Sequence, residues 1–156
     1  MARMKIIVVG RTKLPFLLQG QNFYLDRLRH YATIEWAEVR PVPMKKKTRG
    51  QSAKDQEGIS ILRHISDRDY VLALDQRGKM YDSPGMASCM EKIFMEQDRL
   101  VFVIGGIIGL SEDVLKRAQA TLSLSRFTFT HEMARIFLLE QVYRAFTIMH
   151  GEKYHK

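Results

Sequence analysis

The chain alternates unbroken apolar runs with segments whose apolar residues recur at helical spacing. Residues 100–104, LVFVI, are apolar without interruption and end at Gly105 and Gly106. Such a run, closed by glycine, predicts a strand buried on both faces. Residues 5–10 (KIIVVG) and 70–74 (YVLAL) read the same way. Residues 33–42 alternate in part, through Ile34, Trp36 and Val39, and predict a further strand ended by Pro41 and Pro43. A short last strand is expected over 120–124.

Between these runs the spacing changes to that of helices. One is expected over 16–31, from Phe16, Leu17, Phe23, Tyr24, Leu28 and Tyr31, although Gly20 would also allow a start after it. A second covers 52–65, with Ile59, Leu62 and Ile65 on one side. A third begins at Ser83-Pro84, serine as cap and proline at the first position, and runs to about 96. Ser111 caps a fourth, over 112–118, with Glu112 and Asp113 in its first turn. The fifth and strongest spans 131–149. It carries more apolar side chains than one core-facing stripe needs. A symmetric dimer would bury the surplus, and that reading is favoured over deep burial within one domain.

Strand and helix alternate throughout. The expected fold class is therefore α/β, a mostly parallel sheet with helices on both faces, in a single domain over 1–156. Composition agrees with a globular domain: 156 residues, 46% hydrophobic and 27% charged. No apolar run approaches the roughly 20 residues that span a bilayer. No signal-peptide pattern occurs, so a cytoplasmic location and no membrane are expected. The single cysteine, Cys89, excludes an internal disulfide and a cysteine-rich metal site. Five histidines never pair at ligand spacing, so no metal is expected. Lys plus Arg number 25 against 17 acidic residues, a net charge of +8 that suits a polyanionic partner. Lys45, Lys46, Lys47 and Arg49 form the most basic loop, either a solvated run or a phosphate contact.

Chemistry narrows by exclusion. The glycines of the central loop run G-G-x-x-G, follow a late strand, and have Phe129 where a dinucleotide fold needs an acidic residue. No phosphate-binding G-x-x-x-x-G-K-[ST] exists, no G-x-S-x-G and no H-E-x-x-H. Three loops remain, over 74–78, 105–109 and 125–130, each leaving the carboxyl end of a strand. In a parallel sheet they share one edge. They would hold a small ligand by main-chain hydrogen bonds, with a flat ring in an apolar slot.

At this point the chain resembles the ribosomal RNA large subunit methyltransferase H family, of the SPOUT class. The carrying residues are LALDxxGK at 72–79, FVIGG…GL at 102–110, LSxxTF at 124–129, His131, Arg135, EQVYRAF at 140–146 and the closing Tyr154-His155-Lys156. The resemblance spans essentially the whole chain and implies a C-terminal trefoil knot, a homodimer and S-adenosyl-L-methionine as cofactor. It implies N3-methylation of a pseudouridine in helix 69 of 23S rRNA, on the assembled 70S ribosome. A noncatalytic RNA- or ribosome-binding protein of the same fold is the alternative.

Carried over by residue, the cofactor site would comprise Leu74, Asp75, Gly105, Gly106, Leu110, Ser125, Arg126, Phe127, Thr128, Phe129 and Thr130. His155 is the candidate for proton handling, with Tyr154 beside it and His131 as a second possibility. Arg135 and Arg144 are expected to hold RNA phosphates or stabilise an anion. Lys45, Lys46, Lys47, Arg49, Lys153 and Lys156 would add phosphate attraction. The sequence departs from the family pattern at Ile107 and Ile108, usually polar or small, and at Thr130, commonly proline.

Overall fold

The computed structural model describes residues 1–43 and 50–156. The basic residues Lys45, Lys46, Lys47 and Arg49 lie outside the described residues. Ten elements follow in order: β1 Ala2–Val9, α1 Pro15–Leu28, β2 Ala32–Val39, α2 Gly50–Leu62, β3 Asp69–Lys79, α3 Ser83–Glu96, β4 Arg99–Ile104, α4 Glu112–Arg117, β5 Ala120–Leu122 and α5 His131–Met149.

The strands form one parallel sheet in the order β2-β1-β4-β3-β5. The unbroken apolar runs occupy its centre because both faces are covered. In β1, Ile6 and Val8 face one layer and Ile7 and Val9 the other. In β4, Phe102 and Ile104 stand opposite Val101 and Val103 in the same way. The first layer is closed by α1, α3 and α5, through residues such as Leu28, Met90, Leu138 and Val142. The second is closed by α2 and α4, through Ile61 and Val114. Each fully buried aliphatic side chain contributes about 1.5–3 kcal/mol against exposure, so the alternation along β1 and β4 fixes both layers.

Several expectations change. α1 begins at Pro15, so Gly20 lies inside the helix, facing Ile136 of α5. In α2, Ile61 is buried in the core and Ile59 is exposed, while Leu62 and, past the end of the helix, Ile65 pack half-buried against the second layer. The cap of α3 is Asp82, whose carboxylate accepts the Gly85 N–H at 2.7 Å, and Ser83 is already helical. β3 does not stop at Leu74. Both Leu74 and Lys79 pair with Leu122 of β5, so Asp75 to Gly78 bulge out between two pairings with one residue. On α5, Leu138, Leu139, Val142, Ala145 and Phe146 are buried against the rest of the chain, chiefly α1 and α3, while Met133, Ile136, Tyr143, Ile148 and Met149 are only half-buried. Phe137 remains open. No helix among the described residues is long and apolar enough to cross a membrane.

Candidate active site

The three expected loops do converge. A cavity of about 800 Å³ opens at the carboxyl ends of β3, β4 and β5. That lies within the roughly 300–1,000 Å³ of small-molecule sites. Of the expected cofactor contacts, Leu74, Asp75, Gly105, Gly106, Leu110, Ser125, Phe127, Thr128, Phe129 and Thr130 all line it, and Arg126 does not. Gln76 donates to the Thr128 hydroxyl at 2.8 Å and so ties the first loop to the third.

The glycine loop is a tight turn that side chains would break. Gly109 has φ +81°, and its N–H donates to the Gly106 carbonyl at 3.1 Å. A Cβ on Gly105 would stand 2.9 Å from the Gly109 carbonyl carbon, closer than real Cβ contacts come. Ile107 and Ile108 form the tip. Ile107 is 89% exposed, so the departure from family polarity sits at the lip of the cavity rather than inside the turn.

The lining suits a ligand with one flat apolar part and one polar part. Leu74, Leu110, Leu122, Leu124 and Phe129 supply a slot for a heteroaromatic ring, while Ser123, Ser125 and Thr128 and the loop backbones supply polar partners. The Asp75 carboxyl is held below its ordinary value, chiefly by hydrogen bonding from the Arg77 side chain, and stays ionised. S-adenosyl-L-methionine, with an adenine ring and a zwitterionic tail, fits this donor set. No group of His, Cys, Asp or Glu among the described residues would hold a metal ion.

The start of α5 forms one wall. Thr130 caps the helix by accepting the Met133 N–H at 3.2 Å. His131 lines the cavity; burial first, and Arg135 second, hold it below its ordinary value of 6.5, as a neutral imidazole at neutral pH. Glu132 accepts the Lys13 N–H at 2.6 Å and the Leu14 N–H at 3.2 Å, fastening the β1–α1 connection to α5. Arg135 strengthens the same junction. It is 0% exposed, and donates to the Val9 carbonyl at 2.7 Å and to the Thr12 hydroxyl at 2.9 Å. This corrects the expected phosphate contact, because a guanidinium closed off in the core cannot meet RNA.

The tail packs on its own chain. Gly151, at φ +66°, turns the backbone after α5. The Tyr154 hydroxyl donates to Glu140 at 3.1 Å, and its ring meets Tyr143 edge-on at 4.9 Å. Burial, then Glu140, push the Tyr154 phenol up to about 12, so it stays a neutral donor. Arg144 stands 4.7 Å from the centre of that ring, donates to Glu140 at 2.6 Å, and approaches His155 Nδ1 at 3.4 Å. The i,i+4 pair of Glu140 and Arg144 thus also seats the tail. Lys153 and Lys156 are exposed beside it.

His155 lines a second cavity, of about 470 Å³, not the first. The two cavities share Leu122, Ser123, Leu124 and Phe129 as a common wall. His131 and His155 therefore serve different chambers. Sequence reasoning passed over Lys54, which lines the first cavity, and Ser83 and Gln141, which line the second. Gln141 lies within the EQVYRAF stretch, which was a usable signal; Lys54 had none.

Comparison with known proteins places this geometry. A family model described as "Predicted SPOUT methyltransferase" matches residues 2–155. A protein of Listeria welshimeri named "Ribosomal RNA large subunit methyltransferase H" is 42% identical over 97% of this chain and 98% of its own length. A protein of the same name from Pelotomaculum thermopropionicum is 40% identical over 99% of both chains. Among solved structures, a probable methyltransferase from Bordetella pertussis superposes with a TM-score of 0.62 at 12% identity, over 93% of this chain and 95% of that one. A probable methylase family protein from Haemophilus influenzae gives 0.54 at 14% identity, over 99% and 70%. At these identities the two structures speak for the fold alone.

Proposed function

The chain belongs to the SPOUT methyltransferase family, and from that premise we propose that it methylates large-subunit ribosomal RNA with S-adenosyl-L-methionine. The acceptor in this reading is N3 of a pseudouridine in helix 69 of 23S rRNA, on the assembled 70S ribosome. The observation that carries it is the three-loop cavity, whose glycine turn tolerates no side chain at position 105. We also propose that the carboxyl-terminal part forms a trefoil knot, and that two copies associate as a homodimer.

When bound, the cofactor supplies a sulfonium methyl group, which N3 takes as its proton leaves to water and sulfur keeps the electron pair of the broken bond. The protein's part is placement and charge. Leu74, Asp75, Gly105, Gly106, Leu110 and the 125–130 loop hold and orient the donor, which supplies much of the rate. Because Arg144 is always a donor, its approach to His155 Nδ1 makes that nitrogen the acceptor. His155 then offers Nε2–H, and donates it to the carbonyl oxygen beside N3, where negative charge builds. Arg144 keeps the imidazole in that tautomer, and Tyr154, bonded to Glu140, holds the adjoining backbone in place. Arg135 acts as a positioning residue, tying the start of α5 to Val9 and Thr12.

The test is transfer of labelled methyl from S-adenosyl-L-methionine to 70S ribosomes lacking the modification, beside direct measurement of cofactor binding. Incorporation at a single helix 69 pseudouridine is expected. Cofactor binding without transfer would redirect the reading to another RNA. No cofactor binding would leave the noncatalytic RNA-binding alternative.

A further inference from the structure

We propose that Glu57 is a positioning residue for the donor site: the glycine turn over 105–109 shifts when S-adenosyl-L-methionine binds, and gives a backbone N–H to the open oxygen of the Glu57 carboxylate. This rests on the cofactor reading above.

Glu57 lies in α2 and is 5% exposed. Its Oε2 accepts the Val42 N–H at 3.0 Å, which holds the chain beyond β2 against the helix. Its Oε1 is closed off from solvent and has no hydrogen-bond partner among the described residues. Buried polar atoms without partners are few in native proteins, and each calls for a reason. A carboxylate oxygen is the costliest kind to leave unmet. Arg135 Nε is also unmet, but its guanidinium is already bonded through both remaining nitrogens to Val9 and Thr12. Glu57 has half of its accepting capacity unused.

The glycine turn stands next to that oxygen. A Cβ added to Gly106 would lie 3.7 Å from Glu57 Oε1, and 3.2 and 3.3 Å from side-chain carbons of Val9. Gly106 lines the donor cavity, and Glu57 does not. The Gly106 backbone therefore separates the carboxylate from the cofactor's place, with no side chain between. The missing Cβ also leaves room for this backbone to move toward Val9 and Glu57. The Gly109 N–H bonds to the Gly106 carbonyl at 3.1 Å, so the turn moves as a unit. Ile107 at its tip is 89% exposed and does not anchor it.

Two positions of the turn follow. In the one seen here, Oε1 is unmet. A small shift of Gly106 toward Glu57 brings a peptide N–H within bonding reach, and the charged oxygen gains a strong, charge-assisted bond. A cofactor held by the main chain of the turn favours the position that presents this backbone best, and a ligand populates whichever state it binds better. The bond to Glu57 then contributes to cofactor affinity although Glu57 never touches the cofactor. The carboxylate is essential to this role, because it accepts on both oxygens whereas an amide accepts on one. Glu57→Gln keeps the Val42 bond on its oxygen and turns N–H groups toward the N–H of the turn.

The experiment titrates S-adenosyl-L-methionine and S-adenosylhomocysteine onto the full chain by calorimetry, and follows hydrogen exchange of the 105–109 amides with and without S-adenosylhomocysteine. The unaltered protein is compared with Glu57→Gln, Gly106→Ala and the double variant, beside urea midpoints. Ligand should slow exchange in the turn of the unaltered protein. Glu57→Gln should raise both dissociation constants on the order of tenfold, as for one charge-assisted bond, and lose most of the added protection. Its urea midpoint without ligand should hold or rise, since an unmet buried charge is gone. Gly106→Ala fills the gap and blocks the shift, so Glu57→Gln should weaken binding much less in that background. A glutamate that only supports the fold would give the opposite: a lower midpoint with unchanged affinity and protection. That result, fully additive variants, or a turn equally protected with and without ligand in the unaltered protein would overturn the proposal. Failure of the unaltered protein to bind either compound would strike the cofactor reading itself, and the role of Glu57 with it.

Discussion

Tyr31 and Glu152 lie 121 residues apart in the chain, and the Tyr31 hydroxyl stands 2.8 Å from both oxygens of the Glu152 carboxylate. Tyr31 follows α1 and Glu152 roots the tail, so this bond sets where the tail leaves α5. The ring stacks on Phe146 and meets Tyr143, which in turn packs on Tyr154. Tyr31→Phe keeps the packing and removes the bond. The variant should lose about 1 kcal/mol of stability, the net worth of one hydrogen bond, and methylate several-fold more slowly with unchanged cofactor affinity. A urea midpoint and a rate on ribosomes check both; an unaltered rate would show that Glu152 does not guide the tail.

Removal of Tyr154, His155 and Lys156 takes away the tail but no part of the donor cavity. Cofactor affinity should stay within about twofold, while methyl transfer falls on the order of 100-fold or more with loss of the charge-stabilising donor. Calorimetric titration beside a transfer assay separates the two. Turnover at the original rate would remove His155 and Tyr154 from the mechanism.

Gly105→Ala places a Cβ 2.9 Å from the Gly109 carbonyl carbon and 3.1 Å from its oxygen, both backbone atoms. The turn must open. Cofactor dissociation constants should rise at least about tenfold, with a stability loss of about 1–3 kcal/mol from overpacking. Wild-type affinity in this variant would mean that the turn does not shape the donor site.

Arg135→Met fills most of the same space but leaves the Val9 carbonyl and the Thr12 hydroxyl without their donor. The expected loss is about 2 kcal/mol in urea unfolding, from buried polar groups left unmet. Arg135→Lys should not restore it, since an ammonium cannot reproduce the planar fork. Stability equal to the original protein would assign Arg135 some role other than fastening β1 to α5.

His131 carries a pH signature. Burial holds its folded value below the ordinary 6.5, so in that interval the unfolded chain binds a proton that the folded chain does not. Its contribution is complete above 6.5 and is lost as pH falls through the folded value. The urea midpoint should decline as pH falls below about 7, and less steeply in His131→Gln. Equal slopes for the two proteins would contradict this.

Hydrophobic patterning alone determined the layers of this protein. Uninterrupted runs such as YVLAL and LVFVI can be satisfied only where both faces are covered, so a parallel sheet between helices follows from side-chain periodicity. The convergence of the three loops follows from that same topology, because parallel strands place their carboxyl ends on one edge. Boundaries and caps were less legible. Asp82 rather than Ser83 caps α3, a local choice between two neighbouring capping residues, and Asp75 to Gly78 form a bulge rather than a free loop because Leu122 of β5 pairs with both Leu74 and Lys79. The fate of the charged residues was decided only in three dimensions. Arg135 reads as an RNA contact by type and proves to be a buried brace. Gln141 stands out in sequence only as part of the EQVYRAF stretch, and its contacts with Ser83 and Glu140 appear only in the structure. Burial and hydrogen-bond partners arise from contacts between residues tens to hundreds of positions apart, such as Arg135 with Val9 and Tyr31 with Glu152, and no local spacing encodes them.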